Sequence, residues 1–394
     1  MTRKTIYAAA FSLFAAIAWS QSADPVVLSY QRNFVRASMS TKIDLLGDAA
    51  RITTINMTPL YVDALTFADA YAPLLGDDSQ LAELAAQAAG KLAAYKDPAA
   101  LPALRAVFAR FTDQRVRVAC LSSFATLAKG RADDIAFLNA WFSEGANPAA
   151  KGQAADPKVL AACAAALGSI GDPSSYPVLF QAATGSGDTV VVEAAQTALN
   201  KINDNYVESA LAVIGRNKVK DSYAAFSFAQ KKDSLGDAGK GRIAEAAFLS
   251  ALAASSTAQA DDPVLPRLFS ESMEQLTALK WSKASPAVVK HFYQTQIDYK
   301  AGKANVGAMI PVIKCLGAMG TTEAAQALSI FLGLLNSDTE QKKNYNEQLM
   351  LAVIQSLGEL GDKTAFDYLL YVGYLDYPES VKQASRDALA RLKW

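Results

Sequence analysis

The sequence predicts an all-α solenoid, a stack of antiparallel helical hairpins. Three observations predict it. Apolar residues recur at helical spacing through most of the chain. Strand-like runs are nearly absent, and the β-branched runs Thr189–Val192 and Arg51–Ile55 are short. One unit, best kept as Leu357-Gly358-Glu359-Leu360-Gly361-Asp362, returns along the sequence at recurring intervals.

Composition bounds the function classes. Of 394 residues, 51% are hydrophobic, which excludes a largely disordered chain. Lys+Arg and Asp+Glu number 38 each, so the formal net charge is zero. The basic excess that marks a nucleic-acid binder is absent, and no nucleic-acid partner is expected. Ala, the best helix former, is used heavily.

Residues 1–20 read as a secretory signal peptide. Arg3 and Lys4 precede an apolar run, Ile6–Ala18, of 13 residues, and Ala18 and Ser20 are small residues placed for cleavage after Ser20. The run is short of the roughly 20 residues that span a bilayer. The expectation is a periplasmic or secreted protein with no stable membrane insertion after cleavage. Loss of Arg3 and Lys4 leaves 36 basic against 38 acidic residues, a net charge of −2.

Residues 21–76 read as an N-terminal helical cap, with helices at Val26–Ala37, Lys42–Ala49 and Pro59–Tyr71. The repeat solenoid is expected over 77–394. In its clearest copy Val159, Cys163 and Leu167 share one helical face. Gly171 then supplies the left-handed residue that ends the helix. Asp172 and Pro173 open the partner helix as N-cap and first-turn residue. Anchors equivalent to Leu167 fall at 92, 124, 167, 199, 316, 357 and 389, separated by 32, 43, 32, 117, 41 and 32 residues. Loops at Ser143–Lys158 and Asn336–Asn346 account for the intervals of 43 and 41. Residues 205–305 repeat poorly. Ile243–Ala253 and Pro286–Ile297 read there as first helices of hairpins, with loops at Gln230–Gly241 and Ser255–Pro263. Ser380–Trp394 reads as a first helix.

These residues resemble the HEAT-repeat family in its short bacterial form. Asp156, Val159, Ala162, Ala166, Leu167, Gly168, Ile170, Gly171 and Asp172 follow its pattern. So do Leu349, Ala352, Leu357, Gly358, Leu360, Gly361, Asp362, Ala365 and Leu369. Asp113, Val116, Arg117 and Ala119 match its first half. Leu160, Val192 and Met350 stand where the family has Arg. The resemblance covers about 77–204 and 306–394 and implies a right-handed α-solenoid, a superhelix. Tetratricopeptide repeats are the alternative that the period allows, but Leu-Gly-x-[Ile/Leu]-Gly-Asp is not their pattern. The matching positions are packing and turn residues, so the resemblance implies a scaffold and no particular chemistry.

Candidate chemistry is sparse. The single histidine, His291, cannot build a multi-His metal site or the paired His-Glu iron sites of HEAT-like hydroxylases. No G-x-S-x-G elbow accompanies it. Cys120, Cys163 and Cys315 sit in apolar helical runs and read as small buried hydrophobes. Gly185–Gly187 and Gly236–Gly241 lack nucleotide-binding spacing. Neither metal nor cofactor is expected, and no catalytic residue is assigned. Tyr368, Tyr371, Tyr374 and Tyr377 recur every third residue and are the candidate partner-binding residues; helical spacing also suits a core role for them. The loops 143–158 and 230–241 are further candidates. The expected function is an exported, non-catalytic scaffold that binds a protein or peptide. The alternatives are an enzyme or small-ligand carrier with a pocket in 205–305, for which HEAT-like chromophore lyases are the family analogy, and a purely structural envelope component.

Overall fold

The computed structural model describes residues 24–75, 78–146, 155–185, 187–341 and 343–394. The signal segment and residues 147–154 of the 143–158 loop lie outside the described residues. The described chain is all-helical and falls into two compact units, one ending at Asp204 and the other starting at Asn205. Each is a two-layered stack of helices, and the architecture is an all-α solenoid.

The first unit contains α1 (Pro25–Arg36), α2 (Met39–Ala49), α3 (Thr58–Leu75), α4 (Ser79–Tyr95), α5 (Leu101–Arg110), α6 (Gln114–Leu127), α7 (Ala132–Gly145), α8 (Pro157–Ile170), α9 (Tyr176–Thr184) and α10 (Thr189–Lys201). The even-numbered helices form one layer, in which α2, α4, α6, α8 and α10 pack in succession. The odd-numbered helices form the other, with α1 beside α3, α3 beside α5 and α7 beside α9. The second unit contains α11 (Tyr206–Ile214), α12 (Val219–Gln230), α13 (Gly236–Ala254), α14 (Leu265–Ala278), α15 (Ser285–Lys300), α16 (Val306–Ala318), α17 (Thr322–Glu340), α18 (Glu347–Leu360), α19 (Phe366–Val372) and α20 (Glu379–Leu389). There α12, α14, α16, α18 and α20 form one layer, and α15, α17 and α19 stack in the other.

The repeating unit now has a physical account. Leu92, Phe124, Leu167, Leu199, Leu316 and Leu357 are all buried, and Leu389 is half-buried. The glycine after the anchor is a packing residue. A Cβ on Gly168 would lie 2.7 Å from Ala198 Cα, and one on Gly358 3.0 Å from Ala388 Cα. Neighbouring first helices therefore touch backbone to backbone there. The second glycine closes the helix in the left-handed region, at φ 76° for Gly171 and 65° for Gly361. The following Asp caps the next turn: Asp172 accepts from Ser174 N–H, Asp362 from Thr364 N–H and Asp97 from Ala99 N–H.

Two expectations in the middle of the chain are corrected. Ile243–Ala253 and Pro286–Ile297 lie in α13 and α15, which are second helices, not first. The first helices are α12 and α14, since α14 stacks on α16 and α12 on α14. The hidden anchor is Leu276, fully buried with buried Leu268 eight residues before it. Its signature is disguised because Lys280, at φ 50°, occupies the left-handed position where other units have glycine. Lys96 does the same after Leu92, at φ 53°. The second correction concerns Gln230–Gly241, which is not a loop. It is the end of α12, a 3-10 turn at Asp233–Leu235 and the start of α13. Its glycines admit neighbours: a Cβ on Gly241 would fall on the six-membered ring of Trp281. The Trp281 indole N–H donates to Glu245 at 2.7 Å.

Candidate interaction surface

In the second unit, three successive second helices are apolar on both faces. Inward, Val288 and Phe292 of α15, Leu328 and Phe331 of α17, and Leu369 and Val372 of α19 fill the core. Outward, Tyr293 and Ile297 of α15, Ile330 and Leu334 of α17, and Tyr368, Leu370 and Tyr371 of α19 stand exposed. Ile297 is 60% exposed and Ile330 50%.

The helices are locked in register beneath the cluster. The Phe292 and Phe331 rings meet edge-to-face at 5.4 Å and fix α15 against α17. Gly333 lets Tyr368 rest on the backbone of α17, where a Cβ would lie 2.8 Å from Tyr368 Cε1. Asn336, buried, donates from Nδ2 to the Tyr368 carbonyl at 3.1 Å. The Tyr371 hydroxyl donates to Glu340 at 2.9 Å, and that bond to a carboxylate raises the tyrosine pKa.

The four sequence-predicted tyrosines divide. Tyr377 is buried at 5% exposure; its hydroxyl donates to Asn336 Oδ1 at 3.1 Å, and its ring meets Tyr345 edge-on. It ties the chain after α19 to the end of α17. Tyr368 and Tyr371 lie on the outward cluster, and Tyr374 is 76% exposed just beyond it. Tyr293, Ile297, Ile330 and Leu334 were missed by the sequence reading. Their signal was present: Ala324–Leu335 is apolar all round, more than a one-sided helix needs.

The remaining candidates are structural in their contacts. His291 packs between Phe248 and Phe269, at ring distances of 5.9 and 4.6 Å, with Thr295 Oγ1 3.2 Å from Nε2. Burial pushes its pKa down to about 4. Cys120, Cys163 and Cys315 are free and buried, and burial raises each thiol, Cys120 to about 12 and Cys315 to about 11. They are inert by environment. Among the described residues no three His, Cys, Asp or Glu side chains group to hold a metal, and no helix is long and apolar enough to cross a membrane.

A surface cavity of about 350 Å³ lies in the first unit, outside 205–305, lined by Pro73, Asp78, Arg110, Phe111 and Asp113 among others. Its charged groups are already engaged. Arg110 pairs with Asp69, Asp78 caps α4, and Asp113 caps α6 and pairs with Arg115.

The fold and the outward apolar cluster define a repeat scaffold with an exposed second-helix surface. A family model for HEAT repeats matches residues 150–221, which spans α8, α9, α10, α11 and the start of α12. No curated protein matches the chain.

Proposed function

We propose that this protein is an exported, non-catalytic repeat scaffold that binds a protein or peptide through the second-helix surface of its second unit. The carrying observation is the exposure of Tyr293, Ile297, Ile330, Leu334 and Tyr371 on three successively packed helices whose inward faces are also apolar. A helix that only scaffolds needs one apolar face. The scaffold reading is supported by the HEAT-repeat match over residues 150–221. The export reading rests on the sequence of residues 1–20 and the periplasmic or secreted address it encodes.

Two experiments test this. The protein recovered from the cell envelope or medium is expected to begin at Gln21 by N-terminal sequencing; a cytoplasmic protein retaining Met1 overturns the export reading. Crosslinking capture from the same compartment is expected to enrich a partner with the wild-type chain and lose it with Ile330→Asp, at unchanged helix content. Equal capture by both overturns the surface assignment.

A further inference from the structure

The cluster has a charge character that its apolar residues do not reveal. Within α17 the charged residues are Glu323, Asp338 and Glu340, and within α19 Asp367; neither helix holds a Lys or Arg. Asp376 follows α19 and is exposed. Asp338 is paired with Lys343 at 2.8 Å, whereas among the described residues Glu340, Asp367 and Asp376 are in no ion pair. Lys290 and Lys300 stand on α15, at the far edge, and Lys363 in the turn before α19. Tyr371 thus shares its edge of the surface with Glu340, which accepts its hydroxyl, and with Asp367 one helical turn before it, and Tyr374 stands two residues from Asp376.

The first unit shows how this chain treats aromatic rings on second helices when it covers them itself. Arg105 lies over Phe137 at 5.3 Å, and Arg117 over Trp141 at 5.5 Å and Phe108 at 5.7 Å. Arg105 is also paired with Asp134. A guanidinium over a ring with a carboxylate beside it is a favourable arrangement, combining ring quadrupole and ion pair. In the second unit the rings and carboxylates are present, and among the described residues no cation of the chain lies over Tyr368, Tyr371 or Tyr374.

We infer that the occupant of this surface is a cationic, amphipathic polypeptide segment. Its Lys or Arg side chains lie over Tyr371 and Tyr374 and beside Glu340, Asp367 and Asp376, and its apolar side chains sit on Ile330, Leu334 and Ile297. This rests on the reading of the surface as a polypeptide-binding site. Complementary charge sets orientation and partner choice, while the apolar centre supplies most of the affinity.

The test is selection from a random peptide library of about twelve residues, displayed on phage and panned on the full chain. The counter-target is the Tyr371→Ala/Tyr374→Ala variant, checked for unchanged helix content. The expected pool has Lys and Arg in excess over Asp and Glu, interleaved with apolar residues. Its leading synthetic peptide should lose at least about tenfold in affinity to that variant and to Asp367→Asn/Asp376→Asn. A surface-dependent pool that is neutral or acidic overturns the cationic inference and leaves the polypeptide-binding reading standing. A pool indifferent to the substitutions and to Ile330→Asp, or no enrichment, overturns both. Sedimentation velocity adds one further outcome: a dimer of the wild-type chain that Ile330→Asp dissolves makes the occupant a second copy and overturns the inference.

Discussion

The two units share one packing rule, and α5, α7 and α9 of the first differ from α15, α17 and α19 of the second in what they show to solvent. In the first unit, α5, α7 and α9 expose Ala106, Ala109, Ala136, Ala140 and Gln181, and their larger aromatics, Phe137 and Trp141, are half-covered beneath arginines. In the second, α15, α17 and α19 expose Tyr, Ile and Leu at the corresponding faces. The core needs neither pattern: Phe108 and Phe124 below one surface and Phe292 and Phe331 below the other meet in the same edge-to-face geometry. Stacking therefore explains the inward face in both units and the outward face of α5, α7 and α9, whereas α1 and α3 of the first unit also expose Val35, Tyr71, Leu74 and Leu75. What remains unexplained by stacking is where function is to be sought.

The comparison is broken first at its core. If the units share one register, Leu167→Ala and Leu357→Ala should each cost about 2–5 kcal/mol, because both side chains are fully buried. Chemical denaturation of the two variants should give losses of similar size. A loss below about 0.5 kcal/mol at either site shows that its unit is packed on a different rule.

Acid separates the units. His291 belongs to the second unit, and burial holds its folded pKa at about 4, below an ordinary value of 6.5. Between those values the unfolded chain binds more protons. The stability held by neutral His291 is complete above pH 6.5 and is lost as pH falls through about 4. The loss is up to about 3 kcal/mol. Denaturation midpoints followed down this range should flatten in His291→Gln; an unchanged slope removes His291 as the cause.

Removing the arginine cover should make the first unit resemble the second. Arg117 donates from Nε to the Phe111 carbonyl at 2.7 Å and lies over Trp141. Arg117→Ala should cost about 1–2 kcal/mol and expose the Trp141 ring, read as a red-shifted, more quenchable fluorescence. The chain's other three tryptophans, at 19, 281 and 394, require the same measurement with Trp141→Phe as reference.

The hairpin fold was most legible from sequence where a unit ended in glycine and aspartate, as at Gly171-Asp172 and Gly361-Asp362. Gly171 and Gly361 mark a left-handed residue that other side chains adopt at a cost. The register was lost at Leu276 because Lys280 takes the glycine's place and Trp281-Ser282 follows it, whereas Lys96 after Leu92 is followed by the Asp97-Pro98 signal. The Gly236–Gly241 run misled for the opposite reason: Gly239 makes room for Leu235 and Val207 and Gly241 for Trp281, and contacts as distant in sequence as Val207 and Trp281 follow no local rule. The tyrosines were visible as a spacing, but their division was not. Tyr377 is buried because Asn336 and Tyr345 receive it, and both are distant in sequence. Lys280 makes the point testable. Lys280→Gly should stabilise the second unit by about 0.5–1 kcal/mol by relieving the left-handed strain, and Lys96→Gly should do the same in the first. No gain at either position means that the Lys side chain makes a compensating contact there.

The smallest effect on stability should coincide with the largest effect on binding. Tyr374 is 76% exposed, so Tyr374→Ala should change stability by less than about 0.5 kcal/mol. The same substitution should weaken surface-dependent peptide binding several-fold, because the ring is one of two exposed faces beside Asp367 and Asp376. Tyr377→Phe should behave the other way. It removes a hydroxyl bonded to Asn336 inside the fold, so stability should fall by about 1 kcal/mol, while peptide affinity stays within twofold once the protein is folded. Denaturation and fluorescence anisotropy on the pair check both. If Tyr374→Ala instead unfolds the chain, or Tyr377→Phe abolishes binding, the division between a buried and an exposed tyrosine fails. With it would go the claim that the second unit's outward face is built for something other than stacking.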